Sequence, residues 1–148
     1  IFRSRYIPIG KFENKPYDGI RELLETLGEQ GWTRYVATSK PETTAREILD
    51  HFDLSRYFDC ICGANIEKNL YEKDQVIAYL LGQTQAGDLK IMVGDTKYDV
   101  IGAKAHGIPT IGVSWGYGDV EEMRAAGAAA IVDRPEDLLA QLNQMANQ

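Results

Sequence analysis

Five short apolar runs recur along the chain: YVAT at 35–38, FDCIC at 58–62, KIMVG at 90–94, PTIGV at 109–113 and AAIV at 129–132. Each is separated from the next by a stretch of helical periodicity. Ile20, Leu23, Leu24 and Leu27 share one helical face within 16–30, and Ala45, Ile48, Leu49 and Phe52 form the stripe of a helix opened by Pro41. Val76, Ile77, Leu80 and Leu81 mark a third helix over 73–84, and further helices are predicted at 98–106, 119–126 and 135–146. Short continuous apolar strands alternating with amphipathic helices are the pattern of a parallel sheet covered on both faces. The expectation is a three-layer α/β/α sandwich with a parallel, Rossmann-like sheet.

Composition narrows the function classes. A chain of 148 residues, 44% apolar, can bury one sizeable core. No run reaches the 18 or so apolar residues a transmembrane helix needs. The net charge of −6 argues against a general grip on nucleic-acid backbone, while leaving room for a local phosphate pocket. Cys60 and Cys62 are separated by one residue on one predicted strand, a spacing poorly suited to a disulfide, so they read as reduced thiols and place the protein in the cytoplasm. His51 and His106 are too scattered for a zinc cluster. The chain starts at Ile1 without a signal-peptide pattern, and the expectation is that it is a piece of a longer protein.

In an open parallel sheet ligands gather beyond the carboxyl ends of the strands, where strand order reverses. The most informative such segment is IMVGDTKYD: Gly94 ends a hydrophobic strand, Asp95 follows, and Asp99 comes four residues later. With a helix beginning near Lys97, the two carboxylates are about 6 Å apart along its axis. They can face one crevice and suit Mg²⁺, or they can serve as a helix cap and a dipole partner. Thr38, at the tip of its strand, can donate to a phosphate oxygen, and Ser39 can do so or cap the next helix. Lys73 opens a helix, where a cation opposes the helix dipole and needs an anionic partner; Lys68 and Lys40 compete for the phosphate-binding role. Gly112, Gly116 and Gly118 fit either a crowded site or an ordinary turn.

The strings YVATSKP, IMVGDTKYDVIGAKAHGIPTIGVSWGYG and AAIVDRPEDLLAQL resemble the haloacid dehalogenase superfamily. Within it they are most similar to the phosphoglycolate-phosphatase-like and nucleotidase-like branch, over about residues 16–145. The resemblance implies that Thr38 holds the transferring phosphoryl group, with Ser39 beside it in the phosphate site. Lys73 then neutralises phosphate and nucleophile, Asp95 binds Mg²⁺, and Asp99 supports or ligates. It also implies a nucleophile in an Asp-x-Asp-x-Thr/Val motif on a first core strand, followed by a helical cap. No Asp-x-Asp occurs in the chain, and the DGIRE segment at 18–22 lies in the first predicted helix.

The domain expectation is therefore a phosphatase core over 15–148, lacking the first strand and most of the cap, with 1–14 a remnant of the cap-to-core connection. The functional expectation is a Mg²⁺-dependent hydrolase of a small phosphorylated metabolite, inactive in this 148-residue form. Its partners would be that metabolite and its own missing N-terminal segment, with no nucleic acid and no membrane. Two alternatives are a catalytically dead phosphate-binding or scaffolding protein of the same fold, and a receiver-like signalling domain. The second lacks the acidic cluster and phosphoacceptor that YVATS and CICGAN would have to supply.

Overall fold

A computed structural model describes residues 19–83, 89–116 and 118–147, together with the backbone of 3–7. The strands are β1 (Arg3–Ile7), β2 (Trp32–Pro41), β3 (Cys60–Ala64), β4 (Leu89–Gly94), β5 (Thr110–Val113) and β6 (Ala130–Val132). The helices are α1 (Ile20–Glu29), α2 (Glu42–His51), α3 (Lys73–Leu81), α4 (Lys97–Lys104), α5 (Val120–Ala126) and α6 (Pro135–Ala146). They form one six-stranded sheet in the order β3-β2-β1-β4-β5-β6, and every pairing is parallel. Chain order thus runs outward from β1 in both directions, and the reversal falls between β1 and β4.

Strand alternation splits the core into two faces. Tyr35 and Ala37 of β2, Cys62 of β3 and Met92 of β4 pack with Val76, Ile77 and Leu80 of α3 and Ala103 of α4. The intervening residues face the other way. Ile91, Val93 and Ile111 pack with Leu23 and Leu27 of α1 and Leu138 and Leu142 of α6, while Val36 and Ile61 meet Leu24, Ala45 and Leu49. Because both faces are covered, the strands have no polar side to alternate with. Trp32 is buried in the second of these clusters, and Trp115 packs at its margin.

The sandwich stands as expected, and the structure revises several boundaries. β2 begins at Trp32 rather than Tyr35 and runs on to Pro41, so Pro41 caps α2 rather than opening it. α1 starts at Ile20, because Gly19 just before it has φ +89° and cannot continue a helix backwards. The segment GANIEKNLYEK, read as a polar loop, contains a 3-10 turn at Ile66–Lys68 closed by a bridge between Asn65 and Leu70.

The larger difference is a sixth strand. The sequence reading assigns no strand to 1–14; in the structure Arg3–Ile7 lies between β2 and β4. The core therefore does not leave the first-strand position vacant, although it lacks the Asp-x-Asp sequence expected there. Two parallel strands held apart by the width of one strand each present a row of unpaired backbone donors and acceptors. A five-residue extended segment satisfies both rows, whatever its side chains.

Candidate active site

At the carboxyl end of β2 the backbone departs from regular pairing. Ala37 pairs with Cys62 and Pro41 with Ala64, so β2 takes four steps where β3 takes two, and the register shifts between them. Thr38, Ser39 and Lys40 together stand opposite the single Gly63. Thr38 is 3% exposed, and its Oγ1 accepts the Lys40 N–H at 3.1 Å; Ser39 is exposed. The bulge is accommodated because residue 63 is glycine: a Cβ there would lie 2.6 Å from the Lys40 carbonyl oxygen and 2.8 Å from the Glu42 Cα.

The second part is the β4–α4 turn. Thr96 caps α4 and forms a capping box with Asp99, the third helical residue. Asp99 Oδ2 accepts the Asp95 N–H at 3.0 Å, the Thr96 N–H at 3.2 Å and the Thr96 hydroxyl at 3.3 Å. Its other oxygen, Oδ1, lies 2.7 Å from Lys73 Nζ. Asp99 is 3% exposed, so these contacts replace its water shell. The turn closes tightly enough that any Cβ at position 94 would overlap the Asp99 side chain, with the Asp99 Cγ 2.6 Å away.

Lys73 is the first residue of α3, and a capping box between Glu72 and Gln75 holds it there. Gln75 Oε1 accepts the Tyr71 N–H at 2.8 Å and the Glu72 N–H at 3.0 Å. The helix then packs against α4 at Gly102, where a Cβ would lie 3.2 Å from Ile77 Cδ1 and 3.7 Å from Lys73 Cγ. The partner that the sequence demands for Lys73 is therefore Asp99, brought in from the neighbouring helix. Lys68 behaves differently: its ammonium sits 4.6 Å from the centre of the Tyr79 ring of α3.

The third part is the β5–α5 loop. A Cβ on Gly116 would run into the Asp95 side chain, with Cγ 2.7 Å away, and one on Gly118 would run into the Asp95 backbone. Of the two readings of these glycines, the crowded site is the one the structure supports. Gly112 is crowded for another reason, since it lies under Met123 and Ile131 in the sheet. Tyr117, between the loop glycines, lies outside the described residues.

The structure thus joins Asp95, Asp99 and Lys73 through direct contacts, and places Thr38 in the irregular carboxyl-terminal part of β2 on the same end of the sheet. Asp99 has both oxygens engaged with the protein, Oδ2 with the Asp95–Thr96 turn and Oδ1 with Lys73. Among the described residues no group of three or more His, Cys, Asp or Glu side chains is arranged to hold a metal ion. Asp95 and Asp99 remain the candidate donors to a Mg²⁺ ion, and the described residues bring no third such side chain beside them. Sequence reasoning did not identify Thr96 as the cap of α4; the signal was its position three residues before Asp99.

Comparison with known proteins identifies the family. The family model described as haloacid dehalogenase-like hydrolase matches residues 3–113. A 5'-nucleotidase of Pseudomonas aeruginosa is 42% identical over 125 residues, covering 84% of this chain and 57% of that protein. The tyrosine-protein kinase PtkA of Mycobacterium tuberculosis is 43% identical over 118 residues, covering 79% of this chain and 40% of its own length. Among solved structures, a "predicted phosphatase" from Clostridium acetobutylicum superposes with a TM-score of 0.83 at 43% identity, over 90% of this chain and 62% of that one. The chain thus spans little more than half the length of the nucleotidase, and less of the kinase. A doubly wound parallel sheet with Thr38, Lys73 and the Asp95–Asp99 turn at its carboxyl end, matched over three quarters of its length, belongs to the haloacid dehalogenase-like hydrolase family.

Proposed function

We propose that this chain is the core of a small-molecule phosphatase, acting on a phosphomonoester of the phosphoglycolate or nucleotide type within a longer protein. The observation that carries the reading is the buried Lys73–Asp99 pair. It fixes an ammonium group at the sheet's carboxyl end, where α3 and α4 begin, with only 16% of the lysine side chain exposed. A fixed cation there is suited to a phosphoryl group, whose negative charge spreads over its equatorial oxygens during transfer.

In this reading Thr38, and Ser39 beside it, donate hydrogen bonds to the bound phosphoryl group. Lys73 neutralises it, and Asp99 holds both Lys73 and the Asp95 turn in place. Hydrolysis through an acyl phosphate requires a carboxylate to attack phosphorus and expel the alcohol, after which water cleaves the acyl phosphate and releases inorganic phosphate. The strand in the central position, RSRYI, has no carboxylate, and in this reading the 148-residue chain is inactive by this route. Mg²⁺ is the proposed cofactor of the longer protein, with Asp95 contributing one ligand and the remainder coming from residues beyond those described. A small phosphorylated metabolite as partner, no binding of nucleic acid, and a cytoplasmic location belong to the same proposal. In the described residues no helix is long and apolar enough to cross a membrane.

The carboxylate-free central strand also favours a second reading, a phosphate-binding or scaffolding protein of the same fold. One assay separates the two. A longer form carrying an upstream Asp-x-Asp strand and cap is assayed beside this chain with p-nitrophenyl phosphate, phosphoglycolate and a nucleoside monophosphate. Mg²⁺-dependent turnover by the longer form alone is expected. Phosphate binding without turnover in both establishes the second reading instead.

A further inference from the structure

We propose that Glu42 and Arg46 of α2 close the free edge of β3, and that β3, once opened, pairs with the same strand of a second copy of the chain. β3 lies at one end of the sheet, so one side of its backbone has no strand beside it. Which residues turn to that side follows from Pro41. Proline has no N–H, so its pairing with Ala64 runs through the Ala64 N–H and C=O, which face β2. Backbone groups alternate in direction along a strand, and those of Ile61 and Gly63 therefore turn outward.

Both of these residues find partners on α2. The Gly63 N–H donates to Glu42 Oε1 at 3.4 Å, and Arg46 Nη2 donates to the Ile61 carbonyl at 3.1 Å. The two side chains are one helical turn apart and joined, with Arg46 Nε 3.8 Å from Glu42 Oε2. One accepts and the other donates, at positions two residues apart, as a neighbouring strand would. Gly63 makes the fit possible, since a Cβ there would lie 2.8 Å from the Glu42 Cα.

Without this cover β3 is a template for strand addition. Its sequence, CICGA, has no charge and no proline to discourage pairing. β6, at the opposite end of the sheet, is protected differently, by being only three residues long. The occupant that fits the opened edge is a second β3. Laid antiparallel about a two-fold axis through Cys62, Ile61 of each copy exchanges both backbone hydrogen bonds with Gly63 of the other. The outward-turned residues satisfy each other and no third group is needed. The contact is small, so the association is weak and appears only once the cover is gone.

The test uses the whole 148-residue chain and its Glu42→Ala/Arg46→Ala variant. Glu42→Gln/Arg46→Lys is the control that keeps an acceptor and a donor in place. Circular dichroism establishes that each is folded; if the double alanine variant is not, Glu42→Ala and Arg46→Ala singly take its place. Sedimentation velocity is run at about 100 µM, a concentration suited to a small transient interface. The native chain and the control should be monomers, and the alanine variant should contain dimer. In the dilute alanine variant, amide exchange at Gly63 should quicken about tenfold, the loss of one hydrogen bond, and slow again on concentration. A native chain already paired through β3, or an alanine variant that stays monomeric, overturns the proposal. So does association that protects amides elsewhere, as at α4, where Tyr98 and Ile101 are exposed.

Discussion

Lys73 Nζ and Asp99 Oδ1 stand 2.7 Å apart, bridging the first turn of α3 to the first turn of α4. Each residue begins in an unfavourable setting, a cation at a helix N-terminus and a carboxylate cut off from water. Each resolves the other's. The pair also has a third participant, since the second Asp99 oxygen holds the Asp95 and Thr96 amides.

Removing one member should therefore cost more than an exposed ion pair would. Asp99→Ala leaves an ammonium with 16% of its side chain exposed, unpaired, and two amides without their acceptor. A loss of about 3–5 kcal/mol is expected in denaturant unfolding. Asp99→Asn, which retains an amide acceptor, should lose less.

In the longer, active form, Lys73→Ala should lower kcat/KM for phosphomonoesters on the order of 10²-fold or more, as loss of a preorganised charge does elsewhere. Lys68→Ala should leave it nearly unchanged, because that ammonium lies over the Tyr79 ring. Steady-state kinetics on the two variants decide the assignment, and equal losses would transfer the phosphate role away from Lys73.

Gly94→Ala should be destabilising by about 1–3 kcal/mol, the range for forcing extra methyl groups into packed sites. The new methyl would have to displace the Asp99 side chain, which is tied down on both oxygens. Thermal unfolding should show a lowered Tm. Gly31→Ala is a useful contrast: no atom lies within 4 Å of a Cβ there, so only the strain of φ +82° opposes it.

Titration of this chain with Mg²⁺ by calorimetry should give little heat. The Asp99 carboxylate is committed to Lys73 and to backbone amides, and Asp95 by itself offers too few oxygen ligands to hold a strongly hydrated cation. Tight binding would mean that other residues of the chain supply donors.

The thiols set a pH dependence. Burial pushes the Cys62 thiol up to about 11, and also raises that of Cys60. A thiol whose folded pKa exceeds its unfolded value stabilises fully below the unfolded value and loses that contribution as pH climbs to the folded one. Stability should accordingly fall between roughly pH 9 and pH 11, and Cys62→Ser should reduce that slope in urea titrations. At neutral pH both cysteines should be alkylated slowly in the folded chain and rapidly in denaturant.

Periodicity alone determined the helices and five of the strands, because the apolar spacing of Leu23, Leu24 and Leu27 or of Val76, Ile77 and Leu80 is local and each stripe must be buried somewhere. It also located the end of β4 at Gly94, and the demand of Lys73 for an anion, while β2 runs past Thr38 to Pro41. Which anion answers was a tertiary matter: the Lys73–Asp99 contact depends on α3 packing closely against α4 at Gly102, a distance no spacing in the chain encodes. The same contact supplies the partner of the buried Asp99 carboxylate, which the sequence left open. Arg3–Ile7 carries neither apolar run nor strand-like alternation strong enough to mark it, yet it became the central strand. Its place was set by the unpaired backbone of β2 and β4 on either side, and backbone hydrogen bonding is blind to residue type.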